Sequence, residues 1–184
     1  MPDLQVVYGA HDSVVELVDI LRYCAEGISL DFEGWGNRHT RGPGLYFTVI
    51  SDHDYHSFAD PMGANTWPID DCRQVRADDQ FYDTASTVAV ENDGAVIVSV
   101  DGYIQRQMVR LRDLNPEGTA DGAAVEYEDW MGSRHMSAIE TSVRDSVVAT
   151  VTLSEETGRV STFEDGTVHT EQRSELGGRW QEIN

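Results

Sequence analysis

The stretch FYDTASTVAVENDGAVIVSVDGYIQRQMVRL, residues 81–111, carries the pattern that decides the fold. Phe81, Ala85, Val88 and Ala89 lie at helical spacing, so the segment opens as an amphipathic helix. Asp93-Gly94 then breaks that period, and residues 96–100 follow as an apolar run short enough to be a buried strand. Asp101-Gly102 is a dipeptide whose two residues both accept positive φ, which favours a tight hairpin into residues 103–111. A helix feeding a buried strand that turns back on itself is an α/β signature.

The same alternation extends in both directions. Upstream, Val14, Leu17, Val18 and Leu21 form a helical face; Ser13 with Glu16 three residues later predicts a capping box, and Gly27 predicts the end of the helix. A glycine-rich polar stretch, residues 29–44, leads into an apolar strand at residues 45–50. Residues 51–79, with Pro61, Gly63, Pro68 and many aspartates, predict irregular structure. Downstream, a polar stretch at residues 115–122 precedes a helix in which Met136, Ile139 and Val143 share a face and Ser133 is the expected N-cap. Residues 147–153 and 159–163 read as strands, Asp165-Gly166 as a further turn, and residues 171–184 as a polar tail. Helices alternate with strands first and hairpins dominate later. The expected architecture is one α/β domain over residues 1–184, a mixed twisted β-sheet flanked by helices, with no internal repeats.

Composition narrows the function. The chain has 33 acidic residues against 13 basic ones, all arginine, for a net charge of -20. Such a surface resembles that of halophilic proteins, whose carboxylates stay hydrated when the Debye length falls to about 3 Å in 1 M salt. It argues against nonspecific binding to nucleic acid or to an anionic membrane, both of which need a positive field. The apolar runs fall far short of the roughly 20 residues of a membrane span. Met1-Pro2-Asp3-Leu4 lacks a secretory-signal pattern, so the expected location is cytoplasmic, with Cys24 and Cys72 reduced. A polyanionic ligand would require locally concentrated arginine, a divalent metal or a helix N-terminus.

Three segments offer such chemistry. Asp93-Gly94 is either a plain turn or a carboxylate beside a backbone that a ligand can approach closely. Ser133-Arg134-His135 is either an ordinary capped helix start or a hydroxyl, a guanidinium and an imidazole placed beside free N–H groups, a set that suits phosphate. Ser154-Glu155-Glu156 is either an acidic turn or a hydroxyl next to metal-binding carboxylates. A fourth group, Asp52-His53-Asp54 with His56, has the residue types of a metal-dependent phosphohydrolase, although a solvated loop is the plainer reading. His11, His39 and His169 are isolated, and Trp35, Trp67, Trp130 and Trp180 are expected in the core or at its edges.

Taken in order, Asp93-Gly94-Ala95, Gly132-Ser133-Arg134-His135-Met136 and Ser154-Glu155-Glu156-Thr157-Gly158 resemble the diadenylate cyclase family, whose signatures are Asp-Gly-Ala, Gly-Thr-Arg-His-Arg and Ser-Glu-Glu. The resemblance covers about residues 12–170 and is nearest to the archaeal-type branch. It also takes in residues 44–52 as a central strand, Asp60-Pro61-Met62-Gly63 as a loop and residues 160–168 as a closing hairpin. It implies condensation of two ATP into cyclic di-AMP and two pyrophosphates across a face-to-face dimer, with Mg²⁺ or Mn²⁺ as cofactor. By that resemblance Asp93, Arg134 and His135 are catalytic, and Gly94, Ala95, Gly132, Ser133, Arg134, His135 and Ser154 hold the nucleotide. Asp93, Glu155 and Glu156 surround the metal. Met136 stands where the family has a second arginine. Either another arginine, of which Arg110, Arg112 and Arg144 are candidates, supplies that charge, or Met136 packs into the core. The alternative function is a catalytically weak regulatory module that binds ATP or cyclic di-AMP.

Overall fold

The computed structural model describes residues 7–114 and 125–178. The polar stretch at residues 115–122, Trp180 and the end of the polar tail therefore lie wholly or largely outside the described residues.

After a short 3-10 turn, Tyr8–Ala10, the elements in chain order are α1 (Asp12–Asp31), β1 (Leu45–Ile50), β2 (Ala59–Thr66), α2 (Asp79–Glu91), β3 (Val96–Ser99), β4 (Gln107–Leu111), α3 (Ser133–Ser142), β5 (Val147–Leu153), β6 (Val160–Glu164) and β7 (Thr167–Glu171). Five strands form one mixed sheet in the order β3-β1-β5-β6-β7, while β2 and β4 pair separately. β1 runs parallel to β3 and antiparallel to β5, so it is flanked on both sides and covered on both faces. That is why Leu45, Tyr46, Phe47, Thr48, Val49 and Ile50 are buried without alternation. Phe47, Val49, Val96, Val98, Val151 and Val160 face the core under α1 and α2. Tyr46, Ile50, Ala95, Ile97 and Phe163 face the layer that includes Ala138 and Ile139 of α3. The expected mixed sheet flanked by helices is the observed fold.

Local expectations fare less evenly. Helix α1 begins at Asp12 with His11 at its N-cap, and the Ser13 hydroxyl bonds the His11 ring instead of capping a helix. Gly27 does not end α1; it sits opposite Tyr82, whose ring would lie 3.0 Å from a Cβ there, so this glycine permits close packing of α2. Residues 51–79 are not wholly irregular, because β2 pairs with β4 across a bulge between Pro61 and Thr66, an edge position where a missing N–H costs no ladder bond. The Asp60-Pro61-Met62-Gly63 loop is therefore part of a strand. Asp101-Gly102 does turn the chain, with Gly102 at φ +89°. β3 and β4 nevertheless form no ladder with each other; the isolated bridges Val98↔Ile104 and Ala95↔Val109 link the two segments. Helix α3 is capped by Gly132, leaving Ser133 as its first residue. The tail is docked as far as Gly178 describes it: Leu176 is buried, and the Gly177 N–H donates to Glu26. Met136 is not core; it is 37% exposed.

Cys24 and Cys72 are both free and buried. Burial pushes the Cys24 thiol up to about 12, which leaves it an inert apolar side chain. No helix among the described residues is long and apolar enough to cross a membrane.

Candidate functional site

The three segments singled out in the sequence come together on a single cavity of about 570 Å³. Asp93, Gly94, Ala95, Gly132, Ser133, Arg134, His135, Ser154, Glu155 and Glu156 all line it. The fold explains the convergence. β3 and β5 flank β1 on opposite sides, so the chain entering β3 and the chain leaving β5 meet at the same end of the sheet. Helix α3 packs against β5 and β6, and its start lines the same cavity.

Asp93 lies between the end of α2 and β3, with its N–H donated to Asn65 Oδ1 at 2.9 Å and its own Oδ1 accepting the Gly94 N–H at 2.8 Å. Its side chain remains 58% exposed. Gly94 adopts φ +103°, and a Cβ there would meet Met62 Cγ at 3.0 Å and the Val109 carbonyl at 3.1 Å. The bare backbone is thus required by conformation and by space alike. Ala95 is locked to Val109 by reciprocal backbone hydrogen bonds of 2.7 and 3.0 Å.

At the start of α3 the first N–H groups have no helical acceptor and carry the positive end of the helix dipole. Arg134 reaches back from this turn. Its Nη1 donates to the Leu153 carbonyl at 3.3 Å, and its Nη2 lies 3.8 Å from Asp93 Oδ1 and 3.6 Å from Glu155 Oε2. Gly44 makes room for it, since a Cβ at that position would fall 2.5 Å from Arg134 Nη1. The same Glu155 oxygen receives Arg41 Nε at 2.8 Å and Nη2 at 2.5 Å, a contact that raises the Arg41 pKa above its ordinary value.

His135 is 6% exposed. Burial, then the charges of Arg134 and Arg159, push its pKa down to about 4, so the ring is neutral at pH 7. Nδ1 accepts the Gly132 N–H at 3.4 Å, which assigns the ring proton to Nε2. That Nε2 is buried without a hydrogen-bond partner among the described residues. An unsatisfied buried donor on a cavity wall suits a ligand acceptor. Ser154 Oγ organises the neighbouring turn by accepting the N–H groups of Glu156 and Thr157, each at 3.4 Å.

Sequence reasoning missed several wall residues. Arg41, Arg159 and Trp130 line the cavity, as do Tyr46 and Met62. Arg110, one of three arginines considered as a substitute for the missing basic residue, lines it too. Arg112 instead pairs with Asp60, and Arg144 lies over the Phe58 ring and bonds the Arg112 carbonyl. Trp130 is a site residue, with the Arg159 guanidinium 4.3 Å from its ring centre. Trp67 is fully buried and Trp35 packs edge-on against Phe32, as expected of core and edge tryptophans. Asp52, His53, Asp54 and His56 are solvent-exposed loop residues. No group of three or more metal-ligating side chains forms among the described residues, at these four positions or elsewhere.

The cavity wall holds four arginines, Arg41, Arg110, Arg134 and Arg159, against four carboxylates, Asp93, Asp113, Glu155 and Glu156. It is locally balanced in a chain of net charge -20. The exposed oxygens of Asp93 suit a hard divalent cation such as Mg²⁺ or Mn²⁺. They do not form a complete cage, and Glu155 is already engaged by two guanidiniums. The donor set fits a cation shared with ligand phosphates and water, the usual habit of Mg²⁺.

Fold and site together describe an α/β protein with a polar cavity suited to a phosphorylated ligand. Residues 79–168 match the model of the DAC family, described as DisA bacterial checkpoint controller nucleotide-binding. All three motifs lie within that match. Among solved structures, the chain resembles a hypothetical membrane spanning protein from Bacillus cereus at 18% identity and a TM-score of 0.55, covering 84% of this chain and 63% of that one. It also resembles a double mutant of DacA from Staphylococcus aureus at 18% identity and a TM-score of 0.51, covering 87% of this chain and 89% of that one. At these identities the two structures establish the fold alone. The comparison with curated proteins gives no match.

Proposed function

We propose that the protein is a diadenylate cyclase that joins two ATP molecules into cyclic di-AMP and releases two pyrophosphates. The observation that carries this reading is the assembly of Asp93-Gly94-Ala95, Gly132-Ser133-Arg134-His135 and Ser154-Glu155-Glu156 on one cavity, within the span that matches the DAC model.

In each half-reaction the 3′-hydroxyl of one nucleotide attacks the α-phosphorus of the other. The O3′–Pα bond forms, the bond from Pα to the bridging oxygen breaks, and pyrophosphate leaves. Phosphoryl transfer asks mainly for positioning and charge neutralisation. Asp93, exposed and held by Asn65 and Gly94, receives the hydroxyl proton. Gly94 lets the nucleotide lie against the backbone. The first N–H groups of α3, Arg134 and the neutral His135 Nε2–H bind phosphate oxygens, and Ser154 holds the turn that presents Glu155 and Glu156. Asp93, with Glu156 nearby, would hold a Mg²⁺ or Mn²⁺ ion, which would supply charge neutralisation for the departing pyrophosphate. A single cavity holds one ATP, so two protomers must meet with their cavities facing, and a homodimer is part of this reading.

The test is product analysis in salt-rich buffer with ATP and Mn²⁺ or Mg²⁺, using the native chain beside Asp93→Asn. The native protein is expected to release cyclic di-AMP and pyrophosphate, and the variant to lose roughly a hundredfold or more of that rate while keeping its fold. No product from the native chain overturns the cyclase reading; nucleotide binding without product would leave a regulatory module that senses ATP or cyclic di-AMP. Full activity in the variant removes Asp93 from the mechanism.

A further inference from the structure

We propose that Arg159, which lies outside all three motif cores, is a phosphate-binding residue of this cavity and that Trp130 is the positioning residue for its guanidinium. The inference rests on the nucleotide reading above and assigns the second cation of the phosphate subsite.

Helix α3 supplies one guanidinium to the cavity. Arg134 lines it, whereas Met136, two residues on, is exposed and is not part of the wall. Arg134 and Arg41 already share the Glu155 carboxylate, and Arg134 also lies near Asp93. Arg159 differs. It makes no ion pair among the described residues, although the chain carries 33 acidic side chains. Its contacts are neutral: the face of the Trp130 ring at 4.3 Å and the Thr170 hydroxyl, 3.3 Å from Nη1. A cation left without a counter-ion on a cavity wall is a standing anion donor, and a guanidinium laid on an indole keeps its charge while losing rotational freedom.

Its position agrees. The Trp130 ring also meets the His135 ring edge-on at 5.0 Å between centroids, so Arg159, Trp130 and His135 form one stack beside the start of α3. The charges of Arg134 and Arg159 both act on His135. The Nε2–H of His135 is buried without a hydrogen-bond partner among the described residues, as a donor kept for an acceptor would be. Trp130 is itself fixed, because its indole N–H donates to the Glu128 carboxylate. Arg110 is the other cavity arginine without an ion pair among the described residues, but it stands on β4 beside the Asp60 carboxylate, whose pKa it helps to lower.

The experiment is calorimetric binding of ATP, tripolyphosphate and adenosine to the full chain, for the native protein, Arg159→Met, Arg159→Lys, Trp130→Leu and Trp130→Phe, with Arg106→Met as a surface control. Loss of a charge-assisted contact predicts that Arg159→Met weakens ATP and tripolyphosphate roughly ten- to a hundredfold and leaves adenosine unchanged. Arg159→Lys should recover part of the loss, since it keeps the charge without the fork. Trp130→Leu should weaken both phosphates several-fold and Trp130→Phe should restore most of that, a pattern that a purely structural tryptophan would not give. Native-like binding of both phosphates by Arg159→Met overturns this inference and leaves the nucleotide reading intact. Failure of the native chain to bind either phosphate overturns the nucleotide reading and this inference with it. Circular dichroism on each variant, with Arg159→Lys as the conservative change, separates lost contact from lost fold.

Discussion

Acidification should destabilise this protein through one buried ring, His135. Its pKa is about 4 in the native state against an ordinary 6.5, because burial disfavours the imidazolium and Arg134 and Arg159 add like charge. A lowered histidine pKa means that the unfolded chain takes up the proton first as pH falls. The stability associated with the neutral ring is therefore complete above about pH 6.5 and is lost as pH drops towards 4. The gap from 6.5 to about 4 corresponds to roughly 3 kcal/mol at most, and water entering the cavity beside the ring reduces the expected figure to ~2 kcal/mol. The ring faces Trp130 and Phe163 on its packed sides. The assay is urea unfolding at fixed ionic strength from pH 7.5 to 4.5 for the native chain and His135→Gln. Carboxylates titrate in both proteins, so the informative quantity is the difference between the two stabilities. It should move by ~2 kcal/mol against the native chain between pH 7.5 and 4.5. Parallel curves would refute the argument, as would a native chain that gains on the variant at low pH.

Two further outcomes follow from the same cavity. Gly94→Ala forces a Cβ onto φ +103° and to within 3.1 Å of the Val109 carbonyl, so it should cost about 1–3 kcal/mol in denaturant unfolding and weaken nucleotide binding as well. Glu155→Gln removes the carboxylate that occupies Arg41 and Arg134, so metal-free titration should show tripolyphosphate binding several-fold more tightly than to the native chain. Unchanged affinity would mean that those two arginines are not part of the phosphate subsite.

Where the sequence was legible, one physical signal dominated its position. The strand at residues 45–50 was read to the residue because a run buried on both faces is apolar throughout. The turn at Asp165-Gly166 was read because both residues occupy positive φ, +46° and +73°. The three motif segments were likewise visible, and the structure gathers them on one wall. What failed was anything decided by a distant partner. Gly27 looked like a helix end, but Tyr82, a residue of another helix, determines why glycine is needed there. β2 was invisible because its sequence, Ala59–Thr66, holds Pro61 and Gly63 and finds its strand character only by pairing with β4. Arg41, Arg159 and Trp130 carried no local signal beyond lying next to a glycine-rich stretch, an acidic turn and a helix start. Only the fold shows that they share a cavity.

The balance of charge at that cavity constrains what it can accept. A chain of net charge -20 repels a nucleotide triphosphate over any distance at which the field is unscreened, and four guanidiniums against four carboxylates leave no local excess to reverse it. In the reading proposed above, directed donors supply the attraction instead: the N–H groups opening α3, the His135 Nε2–H, and Arg159, which has no ion pair among the described residues. Donors of this kind discriminate by geometry and act over a few ångströms. A neutral His135 adds to the hydrogen bonding without adding to the charge, and it keeps doing so across the pH range in which an ordinary histidine would switch. The remaining negative charge of a triphosphate must then be met by a cation that arrives with it. In the reading proposed above, Asp93, whose side chain is 58% exposed, would hold that cation's protein side with Glu156 nearby on the same wall. The electrostatics of this chain thus agree with the metal dependence proposed for it.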